Sequence, residues 1–349
     1  MRKVTFVFFS FFLANIAVFS QVSLHNFEYV NLPLNAHVAG VGGVNVSVPE
    51  LNMVFQNPAL IHSDMSKIIS ISYNPYFSDI KSSSVSYIHN FNKTRPVAMG
   101  LQYFSGGKIT QTDEAGNDMG TFTANQYLLQ AGSSHKVNNF TLGVNLKFAG
   151  SNIGTYNSYA FLSDIGGIFK HPKRNWTIGI VAKNAGFALK KYKANEPMSM
   201  PFDLQIGTSY KLEHMPFRFS ILAHHLQKFD IVYLDTTQTI GLDDKGNPIK
   251  PTKSFGDKLA RHFIIGGEFF IGKAFTVRFG YNYLRRKELK MENKPGLAGF
   301  SFGAALKIKS FEFAFTQAYY SSAGGSSFLT LNTSLNTLFK KKSPPEQSL

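Results

Sequence analysis

Apolar residues alternate with polar or small ones along most of this chain, the two-residue period of a β-strand. Phe140, Leu142, Val144, Leu146 and Phe148 form one side of a segment, and Thr141, Gly143, Asn145, Lys147 and Ala149 the other. Phe202, Leu204 and Ile206 stand opposite Asp203, Gln205 and Gly207 in the same way. Phe275, Val277 and Phe279 oppose Thr276, Arg278 and Gly280, and Phe300, Phe302 and Leu306 oppose Ser301, Gly303 and Lys307. Fourteen such strands are expected, near 67–76, 81–91, 96–104, 121–135, 140–151, 158–170, 176–184, 200–212, 217–229, 260–271, 275–284, 297–308, 311–320 and 328–339. Each has roughly 10 residues, the length a tilted strand needs to cross a hydrocarbon layer.

The connections sharpen this. Short ones at Asn92–Arg95, Lys136–Asn139, His171–Asn175, Glu213–Pro216, Gly272–Ala274 and Lys309–Ser310 alternate with longer ones. The longer ones include Ser105–Gly120, Ala185–Ser199, Gln227–Leu259 and Arg285–Gly296. Short turns on one rim and long loops on the other are the habit of an outer-membrane barrel, whose short side and both chain ends face the periplasm. A secreted soluble all-β protein would also show one apolar face per strand. Fourteen strands without a domain break, each polar or small on its second face, weigh for a transmembrane antiparallel β-barrel.

Turn lengths also set register, because paired residue numbers in an antiparallel hairpin sum to a constant. A two-residue turn at Lys309-Ser310 puts Ile308 beside Phe311 and Leu306 beside Phe313, facing lipid, and Lys307 opposite Glu312 in the lumen. A three-residue turn at Gly272–Ala274 puts Phe269 beside Val277 outside, and Glu268 opposite Arg278 inside.

Residues 1–20 do not belong to the barrel. Arg2 and Lys3 precede the apolar stretch Val4–Phe19, and Val18-Phe19-Ser20 suits cleavage before Gln21, which reads as a signal peptide. Residues 21–66 lack spanning-strand spacing and read as an amino-terminal plug or periplasmic segment, 67–339 as the barrel, and 340–349 as a basic periplasmic tail. No later apolar run has the length of a spanning helix. The chain has 34 Phe, 15 Tyr and 29 Gly but only 16% charged residues, a mixture that suits a membrane barrel. It has no cysteine, so an exported chain must be stabilised without disulfides. Its formal charge of +15 falls to +13 without Arg2 and Lys3. With export expected, anionic lipid head groups or a surface glycolipid are more natural counter-charges than nucleic acid.

Candidate chemistry is thin. Gly40–Gly43 lacks the Lys-Ser/Thr of a phosphate loop and reads as backbone freedom in the plug. His224-His225 is the one adjacent histidine pair, and neighbours on a strand point to opposite faces, so no metal site is expected there. Asp113–Asn117 and Asp243–Asn247 resemble calcium loops in composition only and read as turns. No catalytic triad stands out, and neither an enzyme nor a cofactor is expected. Two basic clusters, Lys190, Lys191 and Lys193, and Arg285, Arg286, Lys287, Lys290 and Lys294, fall in outer loops and are candidates for contact with lipopolysaccharide phosphates or an acidic surface partner.

The run Asn35-Ala36-His37-Val38-Ala39-Gly40-Val41-Gly42-Gly43, followed by Asn57-Pro58-Ala59-Leu60, resembles the amino-terminal signature of the FadL-like outer-membrane family. Asn31-Leu32-Pro33, Leu101-Gln102-Tyr103-Phe104, Gly143–Phe148 and Leu226-Gln227-Lys228 add a resemblance to its PorV-like branch in type IX protein secretion. The resemblance implies fourteen strands with a plug. It also implies a place in a cell-surface attachment complex, as membrane anchor for a PorZ-like protein, with catalysis belonging to a sortase-like subunit that joins cargo to lipopolysaccharide. The alternative within the family is a channel for hydrophobic small molecules.

Overall fold

The structure is a computed structural model and describes residues 27–76, 79–92, 95–193, 195, 197–233, 241–242, 248–249, 253–289, 296–321 and 324–335. The expected signal peptide, the basic tail, Lys290, Lys294 and Asp243–Asn247 lie outside the described residues.

Fourteen antiparallel strands close into one barrel. They are β1 (Ile68–Pro75), β2 (Lys81–Asn92), β3 (Arg95–Thr112), β4 (Asp118–Val137), β5 (Phe140–Ile153), β6 (Tyr156–Lys170), β7 (Trp176–Lys190), β8 (Asp203–Lys211) and β9 (Phe217–Ala223), then β12 (Phe263–Ile271), β13 (Phe275–Asn282), β14 (Phe300–Ile308), β15 (Phe311–Ser321) and β16 (Gly324–Ser334). Two short strands, β10 (Gly241–Leu242) and β11 (Pro248–Ile249), pair only with each other. Each barrel strand joins its sequence neighbour, and β1 closes the ring on β16, with Ile68 opposite Ser334. Closure leaves no sheet edge.

The alternation read from sequence is the inside–outside alternation of the wall. Leu142 is 67% exposed on the outer face and Thr141, one residue away, 4% exposed on the inner. Apolar side chains such as Ile206, Phe279, Phe302 and Phe313 form the outer belt. A belt of this kind around a closed sheet is the surface of a membrane-spanning barrel. The observed register sets Glu268 opposite Arg278 and Lys307 opposite Glu312, with Ile308 beside Phe311 and Phe269 beside Val277. The two turn lengths require this same pairing.

Several boundaries differ from the sequence reading. Ser105–Gly120 is not a loop: β3 and β4 continue upward as a paired ribbon, with Ile109 opposite Phe122. Its tip is a turn in which the Asp113 carboxylate accepts from Ala115 N–H (3.0 Å) and Asn117 N–H (2.8 Å). β7 runs on to Lys190, whereas β9 stops at Ala223 instead of near 229. Two helices stand at the long-loop rim: α2 (Phe255–Ala260), where Ser254 Oγ accepts from Asp257 N–H, and α3 (Tyr283–Leu289). Asn282 Oδ1 accepts from Arg285 N–H at 2.9 Å, so β13 ends where its last side chain starts a helix turn.

Residues 27–66 lie inside the barrel. They form α1 (Ala36–Gly40) and short 3-10 turns at Glu28–Asn31, Leu51–Met53, Pro58–Leu60 and Ser63–Met65. Pieces this short have no independent stability. Caps and packing hold them: Asn35 Oδ1 accepts from Val38 N–H and Asn57 Oδ1 from Ala59 N–H. Val38, Val41, Val48, Met53, Ala59 and Leu60 bury against one another and against Ile168 of the wall. Gly42 and Gly43 sit at φ +101° and +94°, which a side chain would strain.

Candidate functional site: the plugged lumen and its outer rim

The plug fits because the wall beside it lacks side chains. A β-carbon at Gly143 would overlap the Pro58 carbonyl, one at Gly179 the Val46 carbonyl, and one at Gly280 the Gly42 amide. These inward glycines of β5, β7 and β13 let plug backbone lie against strand backbone. Between them the inner face bonds the plug's polar groups. Thr316 Oγ1 donates to Ala36 O at 2.7 Å, Ser209 Oγ to Ser47 O at 2.9 Å, and Ser84 Oγ to Leu34 O at 2.7 Å. Buried backbone groups of an irregular segment need such partners.

Charge ties the plug to one side of the wall. Glu268 on β12 is 2% exposed and meets three groups: Arg218 Nε of β9 at 2.5 Å, Arg278 Nε of β13 at 3.3 Å and His37 Nε2 of α1 at 2.9 Å. Arg218 reaches on to Glu50 of the plug at 2.8 Å. A second cluster lies across the lumen, where Lys147 Nζ of β5 is 2.6 Å from Asp164 of β6 and 2.9 Å from Asn184 Oδ1.

The short-turn end has a cavity of about 330 Å³ bordered by Glu50, Arg218, Lys273, Arg278, Lys307 and Glu312. Lys307 and Glu312 share this inner face without an ion pair, and Glu312 accepts instead from Asn332 Nδ2 at 3.2 Å. The apolar hollows lie outside, between lipid-facing side chains such as Val85, Leu101 and Phe161, or Ile71, Phe313 and Leu329.

At the long-loop rim the basic residues divide. Lys190, Lys191 and Lys193 are exposed. Lys190 belongs to the end of β7, opposite Tyr159, and not to a loop. The pairing continues because Lys190 O accepts from Ser158 Oγ at 2.7 Å. Arg285, Arg286 and Lys287 lie on α3 and turn to internal partners. Arg285 covers the Tyr320 ring at 4.4 Å, Arg286 donates to Gly296 O at 2.7 Å, and Lys287 Nζ is 3.3 Å from Asp257. Asp257 also binds Arg261 at 2.8 Å and accepts from Tyr283 O–H at 3.0 Å. The sequence reading missed this hub, although Ser254-Phe255-Gly256-Asp257 has the spacing of a helix start.

The adjacent histidines correct another expectation. His224 and His225 lie just past β9, and His225 adopts φ +55°. Strand alternation ends there, so the rings meet each other instead of facing opposite sides, and both approach Asp203.

No protein-family model and no curated protein matches the chain. Among solved structures it is similar to the Ralstonia pickettii toluene transporter TbuX, with 12% identity and a TM-score of 0.49 over 87% of this chain and 98% of that one. The Pseudomonas putida toluene transporter TodX gives 12% and 0.49 over 86% and 96%. A Pseudomonas aeruginosa FadL homologue gives 10% and 0.47 over 86% and 98%.

Proposed function

We propose that the chain is a plugged outer-membrane barrel that anchors a surface partner, as a PorQ-like component of type IX secretion whose partner is a PorZ-like member of the attachment complex. The filled lumen carries this reading. Plug and wall are fitted backbone to backbone at Gly143, Gly179 and Gly280, by an ion pair between Arg218 and Glu50, and by the contact of His37 with Glu268. The opposite rim carries the β3–β4 ribbon and the exposed Lys190, Lys191 and Lys193, a surface suited to an acidic partner or to lipopolysaccharide phosphate. Affinity isolation from detergent-solubilised membranes tests it. The wild-type chain should retain a PorZ-like protein, and Lys190→Gln/Lys191→Gln/Lys193→Gln should retain less while its unheated gel mobility stays that of a folded barrel. Equal retention by both removes these lysines from the interface.

A second reading, a channel for hydrophobic small molecules, rests on one break in the wall. The β6–β7 ladder skips between Ser163 and Ile165, where Asn184 turns inward at φ +57°. Here the break is sealed, since Asn184 N–H donates to Asp164 at 2.8 Å and its amide to Asn31 and Pro201 O. Uptake of a monoaromatic hydrocarbon into proteoliposomes, with no partner retained on the column, would favour the channel.

A further inference from the structure

Three metal-ligating side chains converge at the long-loop ends of β8 and β9. Asp203 opens β8, and His224 and His225 follow the last residue of β9. One donor atom from each lies within 4.8 Å of the other two. Asp203 and His224 are each 4% exposed, and His225 is half-buried. The rings stand edge to face with centroids 4.6 Å apart, and their Nδ1 atoms touch. Two imidazole lone pairs cannot face each other unless a proton or a cation lies between them. Nε2 of His224 has no partner among the described residues and is available to an ion.

We propose that Asp203, His224 and His225 bind one divalent transition-metal ion of the zinc class, with a fourth coordination position open toward the rim. Zinc takes nitrogen at about 2.0–2.1 Å and carboxylate oxygen at about 2.0–2.2 Å in tetrahedral array, which sets donors roughly 3.3 Å apart. Asp203 Oδ2 and His225 Nδ1 are 3.9 Å apart and the two Nδ1 atoms are in contact, so side-chain rotations that draw the first pair together and part the two rings complete the set. Outer contacts hold the ligands in place. Asp203 Oδ1 accepts from His225 N–H at 2.6 Å, its Oδ2 from Gln205 Nε2 at 2.5 Å, and His224 N–H donates to His262 O at 3.0 Å. Two imidazoles with one carboxylate suit zinc, nickel or copper and not calcium or magnesium, which prefer oxygen alone. Lys183, paired with Asp203 across the ladder, and Arg285 oppose the ion's charge and limit its affinity.

The position gives the ion a task. The chain leaves the wall directly after His225, where Leu226 N–H donates to Leu204 O and the Gln227 side chain bonds Leu204 N–H and Phe202 O. An ion here fastens the root of the long connection between β9 and β12 to the start of β8.

The test uses the full chain in detergent, stripped with a chelator and reloaded with Zn2+ or Co2+ alone. Wild type should retain about one Zn2+ per chain after desalting, and Co2+ should give the visible absorption of a tetrahedral nitrogen–oxygen site. Asp203→Asn and His225→Asn, the latter because Asn tolerates a positive φ, should each weaken Zn2+ at least about tenfold with folded gel mobility unchanged. Retention of Zn2+ no greater than a detergent blank overturns the site, as does wild-type affinity in both variants. If a variant fails to fold, the wild-type Co2+ spectrum decides: six-coordinate, water-like absorption overturns the proposal.

Discussion

Two buried carboxylates organise the inside of the barrel, and they are neutralised differently. Asp164 is met by Lys147 from the adjacent strand and by Asn145 and Asn184 of the neighbouring strands, so its charge is balanced within the wall. Glu268 is met by Arg218 and Arg278 from both flanking strands and also by His37 of the plug, and Arg218 reaches Glu50 of the plug as well. Among the described residues the plug reaches the Asp164 side of the wall through neutral amides, Asn31 with Asn184 and Gln56 with Lys183. The first cluster therefore stabilises the wall, and the second couples the wall to what fills it.

The largest expected effect compares the two directly. Glu268→Gln leaves buried Arg278, and Asp164→Asn leaves buried Lys147, without its counter-charge, a loss of about 3–5 kcal/mol each. Only Glu268→Gln should also unseat the plug, seen as protease cleavage within residues 27–66 and higher single-channel conductance. Equal plug release by Asp164→Asn would break the distinction. Gly280→Val should come next, at about 1–3 kcal/mol, because its side chain meets plug backbone that cannot rotate away. The midpoint of urea unfolding should fall, while Gly267→Val, where a β-carbon meets nothing within 4 Å, should leave it near wild type.

Smaller effects test the cavity at the short-turn end. Lys307→Ala should cost no more than about 0.2–1 kcal/mol, since Lys307 and Glu312 share register but no ion pair. A thermal melt showing a loss of the Glu268 size would mean that this pair also closes in membranes. The smallest is a pH effect at His62, beside Lys136 and Lys170 on the same rim. Burial first, then Lys170 and Lys136, lowers its pKa from 6.5, so the folded chain holds the neutral ring. Unfolding then takes up a proton below the ordinary value, so this contribution is intact above pH 6.5 and is lost as pH falls toward the lowered folded pKa. Between about pH 7.5 and pH 5.5 the wild-type melting temperature should drop more than that of His62→Asn; parallel drops would remove His62 from the linkage.

Strand faces were legible because the two-residue period is local, and lipid on one side with plug on the other gives every strand the same contrast. Register was legible at Lys309-Ser310 and Gly272–Ala274 because short turns leave one pairing that keeps Lys307, Glu268 and Arg278 out of lipid, where a slip would cost Lys or Arg roughly 2–4 kcal/mol at the midplane. The β3–β4 ribbon was not legible: its polar residues between Ser105 and Gly120 look like a loop, and only mutual pairing makes them strand. His224 and His225 were misread for a related reason, since a positive φ at one residue ends the alternation on which the reading depended.

The sequence by itself determined the wall: its strand count, its two faces and the ion-bearing register of two hairpins, all fixed by near neighbours. Only the tertiary structure decided what the lumen holds. His37 meets Glu268, Ala36 meets Thr316 and Asn57 meets Gly166 across separations of a hundred residues or more, and no period in the chain records such a meeting. The inward glycines show why. Along the chain they are merely small residues on the polar side of each strand, and their shortage of side chain becomes a seat only when the plug backbone lies against them.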